Sequence, residues 1–388
     1  MQTYPIKKNM PNDISISCSN CVMDSSDSAI TFDINGVCDH CRVYAKDIAP
    51  KWKLGKNREI ELEQLVSKIK KDGEGKDFDC ILGMSGGIDS SYLLYLVKEK
   101  LNLRPLVFHV DAGWNSQMAV NNIERLVDGL GLDLYTEVID WEDMKNLQKA
   151  YFRSGVPHID TPQDHAFFAT MYKFSVQNGV KNIITGGNYS TECVRNPKEW
   201  MYYQSDSIQL RDIFKKNSEK ALSNYPITNI LWHKIYLPYI KGIRLHRLLD
   251  FMPYDKEQAT QFLVDNYSFE RYPQKHFESR FTRFYESYWL PEKFGYDTRK
   301  VQFSSLILTG QMTREEAIDE LSRPGHNPEL IHHELEYVAS KLDWTLDELM
   351  SCFNSPNKTY KDYANQELVY DIGAKVLRIF GKELGGKR

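Results

Sequence analysis

The sequence predicts an α/β protein: a parallel sheet flanked by helices, with a cysteine ribbon before it and a helical region after it. Three observations carry this. Short apolar runs alternate with amphipathic stretches of helical length from about residue 79 to 185, the pattern of βαβ units. Four of the seven cysteines stand in two C-x-x-C pairs near the N-terminus. Beyond Tyr254 the strand signals stop and helix-capping signals recur. A chain of 388 residues suits two or three units. The expected divisions are 1–55, 56–250 and 251–388.

The ribbon comes first. Cys18-Ser-Asn-Cys21 and Cys38-Asp-His-Cys41 are separated by sixteen residues. Thiolates at this spacing can close a tetrahedron around zinc. The segment AITFDINGVC between them reads as a hairpin turning at Asn35-Gly36. A thioredoxin-like redox pair would need a surrounding βαβ pattern, which is absent here. A closed four-thiolate site has no open position, so its role is to fold the segment. His40 is expected beside the site and not in it. The opening MQTYPIKKNMPNDIS lacks the apolar core of a signal peptide, and no apolar run approaches the roughly 18 residues that span a bilayer. A cytoplasmic location without membrane contact is expected, where cysteines serve metal or catalysis more than disulfides. The net charge of −4 gives no strong pull toward nucleic acid or anionic lipid.

The elements follow in order. A polar linker covers 49–56, and a helix over 59–71 is broken by GEGKD at 73–77. Strands are expected at 79–84, 103–111, 134–140 and 180–185, with helices at 88–100, 115–129, 142–153 and 162–177. Ligands of parallel sheets sit at the carboxyl ends of the strands. Three distant stretches should therefore meet: the Ser-Gly loop after the first strand, HVDAGW at 109–114, and TGGNYSTE at 185–192. In the helical region the cap signals are Asp255 with Gln258, Thr313 with Glu316, Thr345 with Glu348, and Asn327 before Pro328.

Three chemistries share a Gly-Ser turn between a strand and a helix. Gly83-Met84-Ser85-Gly86-Gly87 fits the G-x-S-x-G nucleophile elbow. An elbow needs earlier strands and an upstream oxyanion segment, whereas this turn follows the first strand and only His40 lies upstream. A Walker loop needs Gly-Lys-Ser/Thr, but this loop ends Ile88-Asp89-Ser90-Ser91. What remains is a grip on pyrophosphate by SGGIDSS. Two glycines admit a phosphate close to the backbone, and the N–H groups of the helix start point at the anion. Ser85, Ser90 and Ser91 offer hydroxyls. Asp89 would repel a bare phosphate and makes sense beside magnesium.

This segment resembles the pyrophosphate-loop (HUP-like) ATP pyrophosphatases, marked by SGGxDS. The resemblance implies that a substrate carbonyl oxygen attacks the α-phosphorus of ATP, pyrophosphate leaves, and a nucleophile then displaces AMP. By position, Ser85, Gly86, Gly87, Asp89, Ser90 and Ser91 would hold pyrophosphate and magnesium. His109 to Asp111 would lie against the adenosine, Thr185, Gly186 and Gly187 would close its other side, and Glu192 would assist magnesium.

No glutaminase cysteine is present: residue 2 is Gln, and Cys80, Cys193 and Cys352 lack a Gly-x-Cys-x-Gly setting. The ordered set CxxCVMD…GVCxxC, HVDAGWNS, GGNYSTE and KHFESRFTRFYESYWLPEKFGYDTRK (275–300) resembles the N-acetyl sugar amidotransferase family of WbpG/PseA type. That implies conversion of an acetamido to an acetamidino group on a nucleotide-activated N-acetyl sugar, for bacterial surface polysaccharide or flagellin glycans. It also implies ATP, magnesium and structural zinc as cofactors. A separate HisH-type glutaminase and a HisF-type cyclase-like partner would supply ammonia.

Asp89 is then central to catalysis. Asp160 and Asp164, in IDTPQDHAFF, could favour the cationic amidine, and His165 could deprotonate ammonium; ordinary helix-start chemistry around Pro162 is the alternative. Arg280 and Arg283 could hold donor phosphates, and Tyr285 and Trp289 could stack on base or sugar. The same aromatic spacing also suits a core-facing helix. Two rival readings are a tRNA thiolase using Cys193 and a non-catalytic nucleotide-binding subunit of a glutaminase complex.

Overall fold

The structure is a computed structural model and describes residues 16–52 and 56–379. The opening MQTYPIKKNMPNDIS and residues 53–55 of the expected linker lie outside the described residues. Five parallel strands, β1 (Cys80–Gly83), β2 (Pro105–Asp111), β3 (Leu134–Val138), β4 (Asn182–Ile184) and β5 (Arg244–His246), form one sheet in the order β3-β2-β1-β4-β5. Central β1 pairs Ile81 with Leu106 on one side and Ile183 on the other. Strands covered on both faces read as unbroken apolar runs, which is why ILG and LVFHV were visible in the sequence. β5 was missed. Its three residues, Arg-Leu-His, carry no apolar run, and pairing with β4 recruits them.

The helices α1 (Lys56–Asp72), α2 (Ile88–Tyr95), α3 (Gln117–Leu130), α4 (Trp141–Ser154) and α5 (Thr161–Asn178) sit close to their expected places. α2 continues through a wider-wound turn, Leu96–Lys100. α3 is capped by Ser116, whose Oγ accepts the Ala119 N–H, and ends at Gly131 with φ +59°. No helix among the described residues is long and apolar enough to cross a membrane.

The C-terminal region is helical as expected. Thr313 with Glu316 and Thr345 with Glu348 form reciprocal capping boxes, and the Asp255 carboxylate accepts the Gln258 N–H at 2.8 Å. Asn327 differs: its side chain caps a turn through the Glu329 N–H, and the helix begins only at Ile331. The region shares one apolar core with the sheet, where Phe281, Trp289 and Phe353 join Ile81, Phe108 and Phe152.

Here two expected substrate residues find another role. Tyr285 and Trp289 are fully buried. Trp289 meets Phe152 edge-on at 4.7 Å and Phe353 at 5.3 Å, so it is core and not a stacking platform. Trp289→Ala is therefore expected to cost about 3–5 kcal/mol of stability, read by denaturant melts. A Trp that served only a ligand would leave the melt unchanged.

Candidate active site

β1 delivers the chain to its carboxyl end, and the Ser-Gly loop turns it into α2. The Met84 N–H still bonds Phe108 O at 2.9 Å, tying the loop to β2. Gly86 takes φ +83°, and a Cβ there would stand 3.0 Å from Ala119 O, so a side chain fits neither the dihedral nor the space. The Ser85 hydroxyl accepts the Gly87 N–H at 3.2 Å, and the Ser90 hydroxyl donates to Gly87 O at 3.1 Å. Ser91 Oγ is buried with no partner in the protein. α2 has no side-chain cap, so its first-turn N–H groups are left without intrahelical partners, as at every helix start.

The turn after β4 packs directly on this loop: a Cβ on Gly186 would lie 2.9 Å from the Ser90 nitrogen. Gly187 O accepts from Arg247 Nε at 3.1 Å, and Arg247 pairs with Asp250 at 3.1 Å. The Ser-Gly loop and TGGNYSTE thus meet as expected.

Two carboxylates converge there. Lys275 Nζ lies 2.6 Å from Glu192 Oε1 and 3.4 Å from Asp89 Oδ2. The Tyr254 hydroxyl donates a hydrogen bond to Asp89. Burial pushes the Glu192 carboxyl up, but the Lys275 ammonium outweighs it and holds the group below its ordinary value. Burial alone would push Lys275 down; Glu192 and Asp89 lift it instead. Lys256, close by, is held down by burial. A pair of carboxylates bridged by one cation is the donor set that a divalent ion would suit, with oxygens from phosphate completing it.

Tyr254, Lys275 and Arg247 were not singled out from the sequence. Each is a lone polar residue far along the chain. Lys275 opens the KHFESRF block, and that was the signal available.

The second strand's contribution is partly different from expectation. His109 donates Nδ1–H to Met84 O at 2.8 Å and accepts the Asn115 amide on Nε2 at 2.9 Å. These partners fix one neutral tautomer, and burial lowers its pKa. His109 braces the loop from beneath. Asp111 accepts the Gly113 N–H at 2.7 Å and shapes the turn after β2.

The trio at the start of α5 divides. Asp160 accepts from the Thr282 hydroxyl at 2.8 Å and from Gln163, and burial pushes it up to about 6. Asp164 accepts from Gln204 and is raised by burial and then by Asp160. The Tyr285 hydroxyl, buried and partnerless, feels the charges of Asp160, Glu286 and Asp164. His165 is a correction. Its Nδ1–H donates to Gln204 O at 2.7 Å and its Nε2 accepts the Thr228 N–H at 3.0 Å, while burial pulls it to about 4. With both nitrogens committed to backbone it has no lone pair for ammonium.

Arg280 and Arg283 are also corrected. Both pair with Glu334, at 3.2 and 2.7 Å, and Arg280 lies 3.4 Å over the Tyr337 ring. They anchor one helix to another. Their segment nevertheless reaches the site through its backbone: Arg280 N–H bonds Trp114 O at 2.8 Å, and Ser116 N–H bonds Glu278 O at 2.9 Å.

The four ribbon cysteines gather as expected. Their sulfurs lie within 4.8 Å of one another, at 3.8 Å for Cys18–Cys41 and 3.6 Å for both Cys21–Cys38 and Cys38–Cys41. Metal–sulfur bonds of about 2.3 Å in a tetrahedron separate sulfurs by about 3.8 Å, so the pocket fits a single four-coordinate ion. His40 stays outside and pairs with Asp27 at 2.9 Å. Arg314 ties the ribbon to the C-terminal region, donating to Cys18 O and Cys21 O at 3.1 Å each.

Residues 278–377 match the family model described as "LPS biosynthesis protein WbpG-like, C-terminal domain". Residues 278–377 are thus similar to the C-terminal domain of WbpG-like proteins. The matched stretch begins at Glu278, within the segment that lies over the Ser-Gly loop.

Along most of its length the chain is also similar to an uncharacterized protein of Methanocaldococcus jannaschii, 24% identical over 335 residues, covering 84% of this chain and 99% of the relative. Among solved structures it overlaps the NH3-dependent NAD synthetase of Campylobacter jejuni, at 15% identity and TM-score 0.28, covering 54% of this chain and 83% of that one. The U34-tRNA thiolase NcsA of Methanococcus maripaludis, with its [4Fe-4S] cluster, overlaps 89% of this chain and 91% of its own at 12% identity and TM-score 0.32.

Two outcomes follow from the geometry. Purified protein should carry one metal ion per chain by elemental analysis, and Cys38→Ser should lose it and lower the melting temperature; a metal-free wild type would contradict this. Gly186→Ala should cost about 1–3 kcal/mol by forcing a methyl against the Ser90 backbone, where a glycine in open space would tolerate the change.

Proposed function

We propose that this protein is an ATP-dependent amidotransferase that turns the acetamido group of a nucleotide-activated N-acetyl sugar into an acetamidino group. The observation that carries this reading is the Ser-Gly loop at the end of the central strand, with Asp89 and Glu192 beside it, in a chain whose residues 278–377 are similar to the C-terminal domain of WbpG-like proteins.

The chemistry needs activation because an amide oxygen is a poor leaving group. The acetamido oxygen attacks the α-phosphorus of ATP, and pyrophosphate departs. Ammonia then adds to the imidate carbon, the oxygen leaves with AMP, and a proton is lost to give the amidine. Magnesium, held by Asp89 and Glu192, would neutralise phosphate charge when bound. The first-turn N–H groups of α2 and the hydroxyls of Ser85, Ser90 and Ser91 would hold the departing pyrophosphate, prearranged for the charge that develops there. Asp160 and Asp164 would face the cationic product. Zinc is the ion proposed for the ribbon, where four thiolates leave no position for substrate.

Ammonia is proposed to come from a separate HisH-type glutaminase with a HisF-type cyclase-like partner, in the cytoplasm, for surface polysaccharide or flagellin glycan synthesis. Cys193 supports this reading over tRNA thiolation. Its thiol is buried, donates to Ser305 O at 3.7 Å, and is pushed up to about 12 by burial, far from the thiolate that sulfur transfer requires.

The test is incubation with ATP, magnesium, ammonium and a panel of nucleotide-N-acetyl sugars, read by mass spectrometry. The expected result is a product in which O is replaced by NH, with AMP in equal amount, and its loss in a folded Asp89→Ala variant. ATP cleaved to ADP, or AMP formed without any sugar, would refute the proposal.

A further inference from the structure

Residues 272–279 lie across the Ser-Gly loop at three points and are tied to the start of α3 at a fourth. The Tyr272 hydroxyl donates to Gly86 O at 3.0 Å. Lys275 bridges Asp89 and Glu192. Glu278 O accepts the Ser116 N–H at 2.9 Å. The Glu278 side chain covers the second glycine: its Oε1 is 2.8 Å from where a Cβ on Gly87 would stand.

The charges at these points are the informative feature. A loop whose helix-start N–H groups suit an anion has a carboxylate of its own chain lying over it. A pair of carboxylates that suits a divalent cation has an ammonium of its own chain between them. Both substitutes come from one segment, three residues apart. Between them stands His276 with φ +66°, a left-handed conformation uncommon for residues other than glycine. Its imidazole is held by Glu286 at 3.0 Å.

A carboxylate and a polyphosphate cannot share the cradle without strong repulsion, and an ammonium and a divalent cation cannot share the space between Asp89 and Glu192. Resting on the ATP reading above, we infer that residues 272–279 form a counter-ion plug, with Glu278 standing in for phosphate and Lys275 for magnesium. Nucleotide entry exchanges both at once. Glu278 leaves Gly87 as the phosphates arrive, and Lys275 passes from the carboxylates to a phosphate oxygen as the divalent ion takes its place. The exchange swaps anion for anion and cation for cation, so the site never buries an uncompensated charge. Glu278 therefore competes with the nucleotide, and Lys275 supports it.

The test measures uptake of a non-hydrolysable ATP analogue with magnesium by calorimetry, and amide hydrogen exchange of residues 272–279, in wild type, Glu278→Gln and Glu278→Ala. Circular dichroism checks that both variants are folded. Both variants should bind the analogue more tightly, by about fivefold or more, the lower end of ordinary coupling. In wild type the nucleotide should change exchange in 272–279. Equal or weaker binding by both variants, or unchanged exchange in the wild type, overturns the plug while leaving ATP binding intact. If no form of the protein takes up the analogue, the ATP reading fails and the plug falls with it.

Discussion

The ammonium of Lys275 between Asp89 and Glu192 joins three parts of the chain that share no sequence neighbourhood. Asp89 begins the helix after β1, Glu192 follows the turn after β4, and Lys275 enters from the C-terminal region. Two carboxylates gathered at the end of a sheet repel each other. One cation settles both. The close packing of Gly186 on the Ser90 backbone, the Tyr254 contact to Asp89 and residues 272–279 all meet around that arrangement. The C-terminal region is thus part of the site itself, and its shared core with the sheet keeps it in register.

The fold was legible where it rests on periodic burial. β1 and β2 are covered on both faces and announce themselves as apolar runs, and the caps at Thr313 and Thr345 are local patterns that need no tertiary context. β5 was not legible, because pairing with β4 makes Arg244–His246 a strand and nothing in its own residues does. The Ser-Gly loop and the four cysteines were legible because their chemistry demands fixed residue types at fixed short spacing.

The site residues that come singly behaved otherwise. His165 sits in a suggestive run of acids, yet both ring nitrogens hold backbone. Arg280, Arg283, Tyr285 and Trp289 share a basic-aromatic block that suits a nucleotide equally well as a helix in a core. Glu334 and the aromatic core decide between them, and both lie more than fifty residues away or on other elements. Conversely, Lys275, Tyr254 and Arg247 gain meaning only when the sheet brings Asp89 and Glu192 beside them.

The central claim is that the bend after β1 receives the phosphates of ATP. A crystal structure with a non-hydrolysable ATP analogue and magnesium tests it most directly. The β- and γ-phosphates should lie over Gly86, Gly87 and the start of α2, with the metal touching Asp89 or Glu192. A nucleotide found elsewhere on the protein, with this bend still covered by Glu278, would contradict the account.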